Sequence, residues 1–307
     1  MKTLLLLFVF VIGCTHEDVQ QRKHSQSDPL PSWNNTKLKK SIIDYVVRVT
    51  NKESPEFIPP VDRIAAFDND GTLWAEMPAV QILFTEIQAQ DRGMRHPPLK
   101  SMKKKELNDL FVRTHTGMTD EEFDEKVKNF FQDVKHPTLH VPFKKTVYRP
   151  QLELMKFLAH NGFKIYIVSG GTADFMRVIS MEFYGVPPEQ VIGSNFEHKY
   201  DTVKNELIRE PKLTSNGNRE AKAITLENDI GKRPVFTVGN VRGGGDIYML
   251  RYSQGAPYLN YQLLVNHDDP KREFEYEEKD GVSLLWAKTY KWHVVSMKND
   301  WKTIFAN

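Results

Sequence analysis

The stretch RIAAFDNDGTLWAE, residues 63–76, restricts what this chain can become more than any other. Residues 64–67 form a short apolar run of the kind found in buried strands, and two aspartates, a glycine and a threonine follow it at once. Clustered carboxylates at the end of a buried strand are costly, because like charges repel and each must leave water. Gly71 permits a tight turn that points Asp68 and Asp70 into one volume, and two acids there need a cation between or opposite them.

Four more apolar runs, at residues 165–168, 191–194, 235–238 and 261–265, have the same strand character. Helical segments separate several of them. RPQLELMKFLAHNGF starts near Pro150 and ends at Asn161-Gly162, TADFMRVISMEFYG ends at Gly185, and EAKAITLENDIG ends at Gly231. Strands alternating with helices give an α/β fold with a doubly wound, Rossmann-like parallel sheet, whose ligands bind at the carboxyl ends of the strands. An amphipathic helix over residues 37–51 precedes the first strand, with Leu38, Ile42, Tyr45, Val46 and Val49 at helical spacing. The interval 75–148 breaks the alternation with three helix-like segments, the last opening at Thr119 with Glu122 three residues on. It is too long for a loop and reads as a helical cap above the strand ends.

The chain starts MKTLLLLFVFVIGC, a cationic Lys2 followed by an apolar run and Cys14, the layout of an export signal. The run is shorter than the roughly 20 residues a membrane span needs. Residues 11–14 resemble the lipobox of bacterial lipoproteins, which implies that Cys14 carries lipid, and Thr15 after it favours the periplasmic face of the outer membrane in a Gram-negative host. The expected organisation is a signal over 1–13, a polar tether over 14–36, an α/β core formed by 37–74 and 149–307, and the cap over 75–148. Cys14 is the single cysteine, which excludes an intramolecular disulfide and a thiolate metal cluster. Ten histidines without metal spacing speak against a zinc centre. With 42 basic and 40 acidic residues the net charge of +2 gives no electrostatic case for nucleic acid. The lipid is the expected membrane contact, and the oligomeric state is not legible.

Other strand ends add chemistry. The run at 165–168 leads into Ser169-Gly170-Gly171-Thr172 ahead of a helix, supplying a hydroxyl and backbone N–H groups that suit a phosphate. Lys222 opens the helix before the fourth run, which ends in Gly239-Asn240, and Asp246 follows a loop containing Gly243, Gly244 and Gly245. In a doubly wound sheet these positions converge on one crevice.

The motifs resemble, in order, those of the haloacid dehalogenase (HAD) superfamily of phosphohydrolases: Asp68-Asn69-Asp70-Gly71-Thr72, then Ser169, then Lys222, then Gly239-Asn240 with Asp246. FKIYIVSGGTADFMRV and GVPPEQVIGS look like the phosphoserine-phosphatase-like branch with a helical cap. The resemblance implies that Asp68 attacks phosphorus and that Asp70 acts as general acid and base. Ser169, Gly170 and Lys222 would hold the phosphoryl oxygens, and Mg2+ would be bound through Asp68, Asp70, Asn240 and Asp246. Asn240 stands where the family often has an aspartate, so the cation should bind less tightly unless Asp246 compensates. The expected function is a Mg2+-dependent phosphatase for a small phosphorylated metabolite, phosphoserine-like or amine-bearing. The alternative is a catalytically impaired, phosphoester-binding lipoprotein. Trp74 and Glu76 suggest a site for an ammonium group, although Trp74 fits better as packing at the cap hinge. His267 reads as structural or peripheral.

Overall fold

Strands at the centre of the sheet are buried on both faces, which is why their sequences run apolar without alternation. In β1 (Ile64–Phe67), Ala65 and Phe67 enter one hydrophobic core while Ile64 and Ala66 enter the other. β2 (Lys164–Thr172) divides Ile165 and Ile167 from Tyr166 and Val168 in the same way. These elements are seen in a computed structural model that describes residues 28–214, 219–242, 245–276, 278 and 280–306. The signal, Cys14 and the first part of the tether, with Gly243 and Gly244, lie outside the described residues. No helix among the described residues is long and apolar enough to cross a membrane.

After β2 come β3 (Val191–Ser194), a hairpin of β4 (Phe196–Asp201) and β5 (Glu206–Leu213), then β6 (Phe236–Asn240), β7 (Tyr261–Asn266) and β8 (His293–Ser296). The main sheet holds six parallel strands in the order β3-β2-β1-β6-β7-β8. The chain runs outward from β1 to β3 and then returns to the other side of β1 at β6, so the order reverses between these two strands. A crevice opens at their carboxyl ends for that reason. Helices α1 (Lys37–Thr50), α5 (Arg149–His160) and α6 (Ala173–Tyr184) pack on the core that holds Phe67. Helices α7 (Ala221–Ile230), α8 (Asp246–Ser253) and α9 (Val282–Tyr290) pack on the opposite core, and a last turn, α10 (Met297–Asp300), follows β8.

The interval after β1 contains α2 (Val80–Asp91), α3 (Lys104–His115) and α4 (Asp120–Asp133). Thr119 and Glu122 form the reciprocal capping box at the start of α4 that their spacing indicates.

The structure departs from the sequence reading in three places. β8 adds a sixth strand at an edge, where a four-residue element ending in His293 and Ser296 carries little periodic signal. The β4–β5 hairpin, within the 149–307 segment, pairs instead with the helical insertion through Ile208 and Thr119. β2 runs through the glycines to Thr172, so Ser169–Thr172 form the irregular end of the strand, as the sequence indicates. The expected tether stops early, since Leu30 and Trp33 are buried and Trp33 donates its indole N–H to the Pro150 carbonyl at 3.0 Å. One isolated tryptophan in a polar stretch gives no period to detect.

Candidate active site

The turn after β1 is held from several sides. Asp68 is buried, and its carboxylate accepts the Thr72 hydroxyl at 2.8 Å and the Asn240 side-chain amide at 3.1 Å. The Lys222 ammonium also pairs with it. Gly71 adopts φ +74°, the left-handed conformation that glycine reaches without strain, and its carbonyl accepts His267 Nε2 at 2.6 Å. The other ring nitrogen of His267 meets Glu273 at 2.9 Å, and Glu273 takes the Tyr148 hydroxyl at 2.7 Å. Asp70 faces the crevice half-buried, with Oδ1 accepting the Trp74 indole N–H at 2.7 Å and the Asn69 amide at 3.3 Å. Burial first, and then the neighbouring Asp68, push its carboxyl up to about 6.

On the other side of the reversal, Lys222 in the first turn of α7 reaches between two acids, with Asp246 Oδ1 at 2.6 Å. Burial works against its ammonium, but Asp246 and Asp68 overcome that and raise the pKa. Asp246 begins α8, and its Oδ2 accepts the Asn240 backbone N–H at 2.8 Å. A Cβ on Gly239 would lie 2.5 Å from the Asp246 Cβ, so glycine is what admits this close approach. Burial and Asp68 push Asp246 up to about 7 against the pull of Lys222. Two carboxylates thus share one ammonium, which leaves the cluster short of positive charge.

A cavity of about 670 Å³ opens over this cluster, and Asp68, Asp70, Gly170 and Lys222 reach its wall. Gly171 and Thr172 join them from β2, Leu107 and Phe111 come from α3, and Leu213 comes from the hairpin. Ser169 is buried beneath the wall, where its hydroxyl accepts the Gly171 N–H at 3.0 Å. Of the other expected site residues, Asn240 and Asp246 are also buried below the wall, within reach of Asp68 and Lys222. Glu76 is half-buried at the cavity, and burial, then Asp70, push its carboxyl up to about 8.

No group of three or more His, Cys, Asp or Glu with metal-holding geometry occurs among the described residues. The oxygen donors expected for Mg2+ nevertheless meet at one point. The Asn240 side-chain nitrogen lies 3.1 Å from Asp68 Oδ2, 2.9 Å from the Asp70 carbonyl and 3.3 Å from Asp246 Oδ2, while Asn240 Oδ1 is buried without a hydrogen-bond partner. These oxygens gather around the Asn240 amide nitrogen, and with the unpartnered Asn240 oxygen they form an all-oxygen donor set whose chemistry suits a hard divalent cation.

Sequence reasoning underread Trp74 and His267. Trp74 is enclosed by Phe131, Phe143, Phe183 and Tyr184, as packing at the hinge requires, so its face is not available to an ammonium group. Its N–H also fixes Asp70, and a tryptophan four residues beyond the aspartate was the signal for that. His267 is buried and supports the turn itself, although nothing in its local sequence indicates a partner at Gly71.

Fold and cluster together define a hydrolase whose paired aspartates stand at the reversal of a parallel α/β sheet. The haloacid dehalogenase-like hydrolase family model matches residues 65–251, and the chain belongs to that family. Among solved structures, it is similar to a conserved protein of unknown function from Anaerococcus prevotii, at 13% identity and TM-score 0.60, over 90% of this chain and 97% of that one. It is also similar to a protein of unknown function from Bordetella pertussis, at 13% identity and TM-score 0.52, over 76% of this chain and 98% of that one. A phosphoserine phosphohydrolase-like protein from Francisella tularensis aligns at 15% identity and TM-score 0.43, over 76% of this chain and 94% of that one. The search of curated proteins found no match.

Proposed function

We propose that this hydrolase is a Mg2+-dependent phosphomonoesterase that works through an aspartyl-phosphate on a small phosphorylated metabolite. The observation that carries the reading is the pairing of two unlike carboxyls at one cavity wall. Asp68 is held by Lys222, Thr72 and Asn240, and Asp70 beside it titrates near 6 because it is buried next to Asp68. A carboxyl pushed up to about 6 can carry a proton beside an ion-paired neighbour, which suits an acid next to a nucleophile.

In the first half-reaction an Asp68 oxygen bonds to phosphorus while the bond to the leaving oxygen breaks, and Asp70 gives that oxygen its proton. In the second, Asp70 as carboxylate takes a proton from water as the water oxygen attacks phosphorus, releasing phosphate and restoring Asp68. Lys222 and the β2 end offset charge on the phosphoryl oxygens. Bound through Asp68, the Asp70 carbonyl, Asn240 and Asp246, Mg2+ would supply the charge neutralisation that lets a dianion approach these acids. An amine-bearing leaving group has a partner in Glu76, since an ammonium there favours its ionised form.

Turnover of p-nitrophenyl phosphate with Mg2+, abolished by EDTA and restored by adding Mg2+ back, is the expected result. Saturable phosphate binding without turnover at any Mg2+ concentration would instead establish the binding-protein reading, for which the uncharged Asn240 is the motive.

A further inference from the structure

The end of β2 forms part of the cavity wall, and a side chain from the helical insertion grips it. Gln81, in the first turn of α2, accepts the Thr172 N–H through Oε1 at 3.0 Å and donates through Nε2 to the Thr172 hydroxyl at 2.7 Å. The same Nε2 lies 3.2 Å from His115 Nε2. His115 closes α3 and is fully buried, with Nδ1 placed 2.8 Å from the Phe111 carbonyl. Burial pushes its pKa down to about 3, so the ring is neutral at working pH. With Nδ1 donating to Phe111, Nε2 carries a lone pair and takes a proton from Gln81. That fixes which way the Gln81 amide faces, leaving its oxygen for the Thr172 N–H. All three hydrogen-bonding positions of the amide on the Gln81 side chain that meet protein are thereby committed.

We propose that Gln81 is a positioning residue for phosphoryl transfer, a strut from the insertion that sets the Gly171–Thr172 segment of the phosphate-binding wall. The inference rests on the phosphatase reading. Gln81 also borders the cavity, but its amide is committed to Thr172 and His115, so its contribution should grow as charge develops on the phosphoryl oxygens whatever the leaving group. Gly171 gives an independent handle, because a Cβ there would lie 2.6 Å from Gln81 Oε1 and displace it.

The test compares wild type, Gln81→Ala, Gly171→Ala and the double variant, all with Mg2+, on p-nitrophenyl phosphate and O-phosphoserine. Inhibition by orthovanadate, which mimics the five-coordinate phosphorus, and the melting temperature are measured alongside. Misplacing a binding group by about 1 Å costs up to roughly a hundredfold, so Gln81→Ala should lower kcat about 10- to 100-fold on any substrate turned over. KM should move far less, and vanadate inhibition should weaken by the factor lost in kcat/KM. Gly171→Ala should reproduce the loss, and the double variant should be no worse than the weaker single, since both remove one contact. Wild-type kcat and vanadate inhibition in Gln81→Ala would overturn the proposal, as would additive losses in the double variant or a lower melting temperature with unchanged vanadate inhibition. An inactive wild type sinks the phosphatase reading itself, whereas an active wild type matched by Gln81→Ala sinks only the strut.

Discussion

Two buried cations among the described residues each lie between two aspartates, and one of them, Lys222, reaches the cavity over the strand ends. Lys222 joins Asp68 and Asp246 at the strand ends, and all three are buried. Arg209, in β5, pairs with Asp120 at the start of α4 and Asp174 at the start of α6, and its Nε donates to the His115 carbonyl at 2.7 Å. Its guanidinium lies 4.0 Å from the ring centre of Phe123 and 5.1 Å from that of Phe196. The planar fork spreads its charge over several acceptors and two aromatic faces, which suits a fastener between the hairpin and the helices. Lys222 is a point charge facing more acid than it can neutralise, with Asp70 close by. Burial with an opposite charge marks an ion pair. Access and an excess of one sign mark a place where charge can be moved.

Substitutions separate the two clusters. The largest effect should come from Asp68→Asn, which removes the proposed nucleophile and should lower kcat about 10⁴-fold or more while the circular dichroism spectrum stays that of wild type. Undiminished turnover would dissolve the distinction between the clusters. Arg209→Met should act on stability instead, costing about 1–3 kcal/mol, because the His115 carbonyl loses its donor while the two aspartates left behind are partly solvated. Denaturant titration reads that loss, and kcat of the folded enzyme should fall by less than about tenfold if the arginine only fastens.

Asp70→Asn should do the reverse for stability. A carboxyl whose pKa rises on folding, here from 3.8 to about 6, supports the fold below about pH 4 and loses that contribution as pH climbs through about 6. A neutral amide has no such loss. The variant should therefore be more stable than wild type by about 1–2 kcal/mol at pH 8, after allowing for the partial exposure of Asp70. The gain should vanish near pH 3.5, and turnover should be lost throughout. Equal stability at both pH values would mean that burial does not perturb Asp70. Trp74→Phe is the smallest test. Losing one hydrogen bond should lower kcat about fivefold, or about 1 kcal/mol. Because the indole N–H holds the Asp70 carboxyl down, its removal should shift the pH profile upward; an unshifted profile would limit Trp74 to packing.

The parallel sheet was legible because central strands bury both faces and so run apolar, and Asp68, Asp70 and Lys222 could be picked out because the aspartates follow such a strand and the lysine opens the helix before another. Short edge pieces such as β8 carry too few residues for a period. The β4–β5 hairpin escaped because most of its side chains are exposed and many are charged, among them Lys199 and Lys212, so no apolar run marks it. Gln81, His267 and Arg209 act across long sequence separations, and each sits in a local pattern that an ordinary helix, loop or strand would show equally well.

The cavity roof has two roots in the chain. Lys104, Leu107 and Phe111 arrive before β2, whereas Leu213 and Thr214 arrive after β3, and Arg209 ties the second group to the first. A flap on a single hinge swings aside, but a span clamped at both abutments must lift as one piece. Opening the roof therefore takes both roots moving together, a stiffer passage than a flap on one hinge would give.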